Sequence, residues 1–177
     1  MRLLILYSTT TRRTETVANR LAEGFSTLCD TSLSTIENWD LDTTPDYDLV
    51  IAGGPTAGQG ELHLRWRRVA DDVARLDMQG RHVAVFALGD QRHHGGTFGN
   101  ALWLLRELWE QTGANITGET AFTGYLPQLC PHLQEGQRLP GLLLDHIAQR
   151  RLTTPRLASW AAQLQQQFAL TATRSLP

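Results

Sequence analysis

Three short apolar runs, each ending in a turn of small or polar residues, constrain the fold of this chain more than any other feature. The runs are RLLILYS at 2–8, YDLVIAGG at 47–54 and RHVAVFALG at 81–89. Continuous apolar runs of this kind are typical of strands that are buried on both faces of a parallel sheet. A weaker strand is predicted at 29–36, near an edge of the sheet, and the start of a fifth strand at 114–120.

Segments with helical spacing of apolar residues follow or separate these strands. The first begins at Thr14, and others are predicted at 64–76, 97–112 and 153–168. Strands that alternate with helices predict an α/β fold, in which a doubly wound parallel sheet carries helices on both faces. A stretch rich in Pro, Gly and Gln interrupts the fifth strand before a last apolar run, GLLLD, at 141–145.

Length and composition indicate one globular domain, placed at 1–170, and a C-terminal tail at 171–177. Of the 177 residues, 41% are hydrophobic, and no apolar run approaches the ~20 residues that span a bilayer. The N-terminus lacks the pattern of a secretion signal, and Cys29 and Cys130 suggest no disulfide framework. We therefore expect a cytoplasmic protein without a membrane span. All 16 basic residues are Arg and the net charge is −2; without aromatic residues interleaved among the arginines, no nucleic-acid partner is expected.

The turn after the first strand, STTTRRT at 8–14, has the composition of a phosphate site. A loop that leads into a helix offers unpaired backbone N–H groups and the positive end of the helix dipole. The hydroxyls of Thr9, Thr11 and Thr14 add side-chain donors, and two arginines add positive charge. The lysine and the flanking glycines of a nucleotide-triphosphate loop are absent. Alternatively, the threonines serve as a helix cap, since Thr is a good N-cap residue.

Three turns and the C-terminal third carry motifs of one known family. Thr9 to Thr14 matches a phosphate motif of the form Thr/Ser-x-Thr-Gly-x-Thr, with Arg12 in place of the glycine. GGPTAGQGEL at 53–62 is similar to a first flavin loop, and FALGDQ at 86–91 to the start of a second. FTGY, GLLLD and LTTPRLASWAAQL are similar to a long insertion and a last helix. With these motifs the chain resembles the long-chain flavodoxins over essentially its whole length.

The resemblance implies a flavodoxin-like fold that binds FMN at the carboxyl ends of its strands. It predicts a five-stranded parallel sheet in the order 2-1-3-4-5, with helices on both faces and a long insertion in the last strand. It also implies FMN-binding residues in the phosphate turn, in both flavin loops and at the end of the fifth strand. These residues are Thr9, Thr10, Thr11, Arg12, Arg13, Thr14, Pro55, Thr56, Ala57, Gly58, Gly60, Leu88, Gly89, Asp90, His94, Phe98 and Asp145. No metal site and no catalytic side chain are expected, because the flavin itself supplies the chemistry.

Both positions that cover the flavin ring depart from the family pattern. In flavodoxins a Trp or another apolar residue of the first loop commonly covers one face, and a Tyr of the second loop stacks on the other. Here these positions are Ala57 and His94, and each lost aromatic partner forgoes about 0.5–1.5 kcal/mol beyond area burial. His94 stacks as an imidazole or, with His93, faces solvent without a redox role. Candidates to fill the space are Trp66, Leu62 and Phe98.

Gly58, Asp145 and Arg12 carry more specific implications of the resemblance. Gly58 is placed where the backbone turns a carbonyl toward flavin N5 in the one-electron reduced state; alternatively, Gly58 and Gly60 simply form a tight turn. Asp145 matches an acid that approaches the ribityl chain. Arg12 must adopt an ordinary backbone conformation or accept strain of about 1–3 kcal/mol, and its guanidinium could pair with a phosphate.

The function implied is that of an FMN-binding one-electron carrier between an NAD(P)H-dependent reductase and an unidentified acceptor protein, acting as a monomer. Two alternatives stay open: an FMN-dependent quinone or stress-related reductase, with His93 and His94 donating protons, and a binding module whose flavin site is weak or lost. A mixed or basic flavin rim predicts partners other than those of strongly acidic flavodoxins, because complementary charge governs encounter. Alternatively, the arginines at 65–68 form a solvated helix face. The predicted rim arginines are Arg12, Arg13, Arg65, Arg67, Arg68 and Arg92.

Overall fold

A computed structural model describes residues 1–126 and 137–170 of the chain. The first half comprises β1 (Arg2–Tyr7), α1 (Arg13–Phe25), β2 (Asp30–Thr35), β3 (Leu49–Ala57), β4 (Glu61–Leu62) and α2 (Leu64–Ala74). The second half comprises β5 (His82–Gly89), α3 (Asn100–Glu110), β6 (Asn115–Thr117), β7 (Thr120–Ala121), β8 (Arg138–Leu139), β9 (Gly141–Asp145) and α4 (Arg150–Gln167). Short 3-10 segments lie at Ile36–Asn38, Leu41–Asp46 and Gly95–Thr97.

The main sheet is parallel in the order β2-β1-β3-β5, and its fifth position is shared by two strands. β6 pairs with the first part of β5, His82–Ala84, and β9 pairs with the second part, Val85–Gly89. The chain between β6 and β9 is the long insertion, within which β7 and β8 form a small antiparallel ribbon. The predicted order 2-1-3-4-5, with an insertion in the last strand, is therefore confirmed.

Alternate residues of the central strands face opposite layers of helices, which explains why these strands contain continuous apolar runs. In β1, Leu4 and Leu6 pack in the layer that contains α2 and α3. Leu3 and Ile5 pack in the layer that contains α1 and α4. A strand covered on both faces needs apolar side chains at every position, not at every second one.

The boundaries of the elements differ from the predicted ones by a few residues at helix starts. α3 begins at Asn100 because the backbone at Gly95–Thr97 forms a separate 3-10 turn. α4 begins at Arg150, three residues before the predicted start. The predicted tail at 171–177 and Cys130 lie outside the described residues. In the described ranges, no helix is both long enough and apolar enough to cross a membrane.

Candidate functional site

A cleft of about 230 Å³ opens where β1, β3 and β5 end, at the carboxyl edge of the sheet. The phosphate turn forms one side of it, the end of β3 another, and Leu88 of β5 lies between them. Turns that are distant in the sequence meet here because parallel strands all end at the same edge of the sheet. The lining residues are Thr10, Thr11, Arg13, Thr14, Pro55, Thr56, Ala57, His63, Leu88 and His146.

The threonines of the phosphate turn do not cap the helix that follows. The N-cap residue of α1 is Arg12, and within the part of the chain that the structure describes no side-chain cap hydrogen bond forms there. The interpretation of the turn as a Thr-rich cap is therefore wrong. Thr14 is 1% exposed and still reaches the cleft wall, whereas the buried hydroxyls of Ser8, Thr9 and Thr56 have no hydrogen-bond partner among the described residues. Unpaired buried hydroxyls cost about 1–3 kcal/mol each, so this edge of the sheet is suited to a polar ligand.

Arg12 accepts backbone strain and keeps its side chain in solvent. Its φ of 60° and ψ of 0° lie in the left-handed region, which favours glycine. The side chain is 91% exposed, and its Nε lies 4.0 Å from Glu15 Oε2. The guanidinium does not line the cleft, so the geometry does not support its pairing with a phosphate there.

Replacing Arg12 with Gly is expected to raise the free energy of unfolding by about 1 kcal/mol, because the left-handed conformation costs residues with a side chain about 1–2 kcal/mol. Chemical denaturation of the two proteins measures the difference. Arg12→Ala is the matched control, since it removes the same guanidinium but keeps the Cβ atom. Equal stabilisation by both substitutions would show that the guanidinium, not the backbone conformation, is the cause.

Arg13, unlike Arg12, faces the cleft and is held by a histidine. Its Nη1 donates a hydrogen bond of 2.5 Å to Nε2 of His146. Because a guanidinium can only donate, His146 accepts at Nε2 and carries its proton on Nδ1, which is buried without a partner among the described residues. Burial, and then the charge of Arg13, lower the pKa of His146 below its ordinary value. The cleft therefore presents one cation and one neutral imidazole side by side.

His63 lines the cleft beside the first loop. Its Nε2 lies 2.8 Å from Thr10 Oγ1, and its Nδ1 is buried without a partner in the described part of the chain. Burial, and then the charge of Arg65, lower the pKa of His63. His63 and His146 were missed at the level of sequence. The available signal was their position, since His63 directly follows the first glycine-rich loop and His146 directly follows β9.

The second loop is braced by two carboxylates, neither of which lines the cleft. Asp90 accepts hydrogen bonds from the backbone N–H groups of Arg92 and His93 and lies 2.7 Å from His93 Nδ1. Burial alone would raise the pKa of Asp90, but these hydrogen bonds outweigh it and hold the pKa below its ordinary value.

Asp145 is 1% exposed and holds two loops together. Its Oδ1 accepts from the N–H groups of Ile147 and Ala148 at 2.9 and 2.8 Å, and its Oδ2 accepts from that of Gln91 at 3.3 Å. These bonds give its carboxylate a structural role at the end of β9. Its predicted approach to a ribityl chain stays a prediction.

Several predicted site residues surround the cleft without lining it. Gly58 and Gly60 have φ values of 49° and 94°, and Gly60 N–H donates to Ala57 O at 3.0 Å, so they form the tight turn between β3 and β4. His94 is exposed, whereas Phe98 is buried and packs beneath the backbone of Gly89. The predicted residues that do not line the cleft are Thr9, Arg12, Gly58, Gly60, Gly89, Asp90, His94, Phe98 and Asp145.

The side chains expected to compensate for Ala57 are mostly not available. Trp66 is fully buried and donates from Nε1 to Gly53 O at 3.0 Å. Phe98 is only 3% exposed. Leu62 is partly exposed and packs against the core, and His63 lies next to it. The open side of the cleft therefore lacks an aromatic cover from these positions.

The predicted rim arginines are partly neutralised. Arg65 pairs with Glu37, and Arg67 Nη1 lies 3.2 Å from Glu61 Oε2. With Arg12 near Glu15, three of the rim arginines have a carboxylate neighbour. The rim is therefore mixed in charge, which is one of the two characters, mixed or basic, expected from the sequence.

Comparisons with known proteins agree with this fold and cleft. The family model named Flavodoxin matches residues 5–160. The chain is 31% identical to a flavodoxin of Synechococcus elongatus over 166 residues, covering 94% of this chain and 97% of that protein. It is 30% identical to flavodoxin 2 of Escherichia coli over 173 residues, covering 96% and 98%.

A solved structure has the same fold at lower identity. The Fusobacterium nucleatum flavodoxin bound to flavin mononucleotide superposes with a TM-score of 0.85, at 23% identity, over 94% of this chain and 98% of that one. The fold and the sequence therefore point to the same family. The sequence relatives match nearly the full length of the chain, and the solved structure matches its fold. The chain belongs to the flavodoxin family.

Proposed function

We propose that this protein is an FMN-binding one-electron carrier that works between an NAD(P)H-dependent reductase and a redox acceptor protein. One observation carries the proposal: among the described residues, buried hydroxyls without partners gather where the phosphate turn meets the end of β3, and the cap of α1 does not use them. Family membership and the FMN bound to the Fusobacterium nucleatum protein support FMN as the ligand.

The residues present fit a phosphate monoester. Thr10, Thr11 and Thr14 bring hydroxyls to the cleft, and α1 begins beside them with unpaired backbone N–H groups. Arg13 adds a charge that can bond a phosphate oxygen. Its bond to His146 fixes the direction of the guanidinium before any ligand arrives, which lowers the entropic cost of binding.

The rest of the cleft fits a flat, partly polar ring with a less aromatic cover than the family pattern has. Pro55, Ala57 and Leu88 offer apolar contact, and the neutral imidazole of His63 offers a polar edge. FMN, when bound, supplies the electron-transfer chemistry, and the protein sets its potential through packing, hydrogen bonds and charge. We propose no catalytic side chain.

The charge of the rim bears on the choice of partners. Arginines paired with glutamates present alternating charge around the cleft rather than a uniformly acidic face. Complementary charge accelerates encounter and excludes wrong partners, so we propose a reductase and an acceptor with docking faces of mixed charge. We further propose that the carrier acts as a monomer in the cytoplasm.

A reductive titration of the FMN-loaded protein tests this function. A one-electron carrier is expected to take up two electrons at separate potentials and to show no direct turnover of NAD(P)H with a quinone. A single two-electron step, together with such turnover, would instead identify a reductase. A protein that takes up no added FMN would identify a binding module.

A further inference from the structure

A second groove, of about 500 Å³, lies between the start of α1 and the start of α4. It shares Arg13, Leu88 and His146 with the FMN cleft, so the two spaces meet at the phosphate turn. Its volume lies within the range of small-molecule sites, about 300–1,000 Å³. The proposed FMN function leaves this groove without a role.

The groove is cationic. Arg13, Arg20 and Arg150 line it, and none of the described residues in its lining carries a carboxylate. None of these three arginines forms an ion pair with a carboxylate of the described residues, whereas Arg65 and Arg67 both do. Arg20 instead donates from Nη1 to Thr154 Oγ1 at 3.0 Å. Three guanidinium groups that line one groove are suited to a polyanionic ligand.

The lining of the groove is also partly apolar and includes a buried hydroxyl group. Val17 and Leu88 form a buried apolar floor, and Ile147 is 40% exposed at its edge. The Oγ1 atom of Thr153 is buried and has no partner in the parts of the chain that the structure describes. An apolar floor beside cations favours an organic phosphate over an inorganic ion, because guanidinium groups both pair with phosphate and stack on flat bases.

We propose that this groove binds an adenosine phosphate, with Arg13 at the junction and Arg20 and Arg150 on the far phosphate or the sugar. Placing the adenosine phosphate in this groove rests on the proposed function, because that function assigns the flavin phosphate to the adjoining phosphate turn. Two sources share this chemistry: the adenylate half of FAD, whose pyrophosphate would run from the turn into the groove, and a free adenine nucleotide. The first would make the protein accept a dinucleotide flavin as well as FMN.

The test compares FMN and FAD binding to the full-length, flavin-free protein and adds 5′-AMP to the FMN-loaded protein in a calorimeter. FAD is expected to bind at least as tightly as FMN, or AMP to bind the FMN-loaded protein saturably. Arg20→Gln and Arg150→Gln are each expected to weaken that adenylate binding about tenfold or more, the effect of losing a charged hydrogen bond. FMN affinity should change little in both variants, which also shows that they fold.

Arg151→Gln is the matched control, because Arg151 follows Arg150 on the same helix and is exposed but does not line the groove. It is expected to leave adenylate binding unchanged. An equal loss in this control would overturn the proposal by showing that only general charge matters.

The two proposals fail in different ways. FMN binding without any preference for FAD and without AMP binding would overturn the groove and leave the carrier function standing. AMP binding that depends on Arg20 and Arg150 in a protein that takes up no FMN would support the groove and overturn the carrier function. Binding of FAD at least as tight as that of FMN, without AMP binding, identifies FAD as the ligand that supplies the adenosine phosphate. AMP binding without tight FAD binding identifies the free nucleotide as that ligand.

Discussion

Thr14→Val is expected to weaken FMN binding by about 10- to 100-fold and to leave riboflavin binding nearly unchanged, the effect of losing one hydrogen bond to a charged group. Thr14 is 1% exposed and lies in the first turn of α1, with its side chain at the wall of the cleft. Valine has nearly the same shape, so the substitution removes the hydroxyl and little else. Riboflavin lacks the phosphate, and its binding reports on the ring alone.

Fluorescence titration of the flavin-free protein with both ligands measures the two affinities. Thr16→Val is the matched control, because Thr16 lies on the same helix but donates its hydroxyl to Arg12 O at 3.0 Å and does not line the cleft. It should leave both affinities nearly unchanged. Equal losses of FMN and riboflavin in Thr14→Val would contradict the assignment of the turn to the phosphate.

The parallel sheet and the position of the cleft could be predicted because both follow from the pattern of apolar residues within single short segments of the sequence. β1 is apolar from Leu3 to Leu6 because alternate residues face different helix layers, and that run indicates a strand covered on both sides. Once the strands are parallel, the turns after β1, β3 and β5 must meet at one edge. The phosphate turn and the first loop accordingly line one cleft.

The side-chain details could not be predicted because they depend on packing between distant segments. Trp66 was a candidate for covering the flavin, but the helix α2 turns it inward to bond with Gly53. His146 reaches the cleft through a bond with Arg13, which is 133 residues away in sequence. No local pattern carries such contacts, and His63 was missed for the same reason, since its partner is Thr10.

At Arg12 and Asp145 the sequence motif was recognised, but the contacts of the side chain could not be predicted from it. A motif assigns a position but not the direction of its side chain, and at Arg12 the backbone takes the glycine conformation while the guanidinium stays in solvent. At Asp145 the carboxylate is used by the N–H groups of three neighbours. The cleft therefore depends on β9, because Asp145 ends this strand and holds both Gln91 and the turn that carries His146.

Gly141→Ala is expected to destabilise the protein by about 3–5 kcal/mol, within the range of severe packing errors in a core. A Cβ atom at Gly141 would lie 1.9 Å from the carbonyl oxygen of Val85 and 2.8 Å from its carbonyl carbon. Both are backbone atoms of β5, the strand with which β9 pairs, so neither can move without disturbing the sheet. FMN affinity should fall with stability, since a displaced β9 releases Asp145 from Gln91.

Gly24→Ala is the control, with an expected change in stability of opposite sign, because a Cβ atom at Gly24 meets no atom of the described residues within 4 Å. Gly24 lies inside α1, where alanine is favoured over glycine by about 0.5–1 kcal/mol, so this variant should be slightly more stable. Urea denaturation of both variants measures the contrast. An unchanged midpoint for Gly141→Ala would mean that β9 does not lie against β5 at Val85, and the bracing of the second loop by Asp145 would then lose its structural basis.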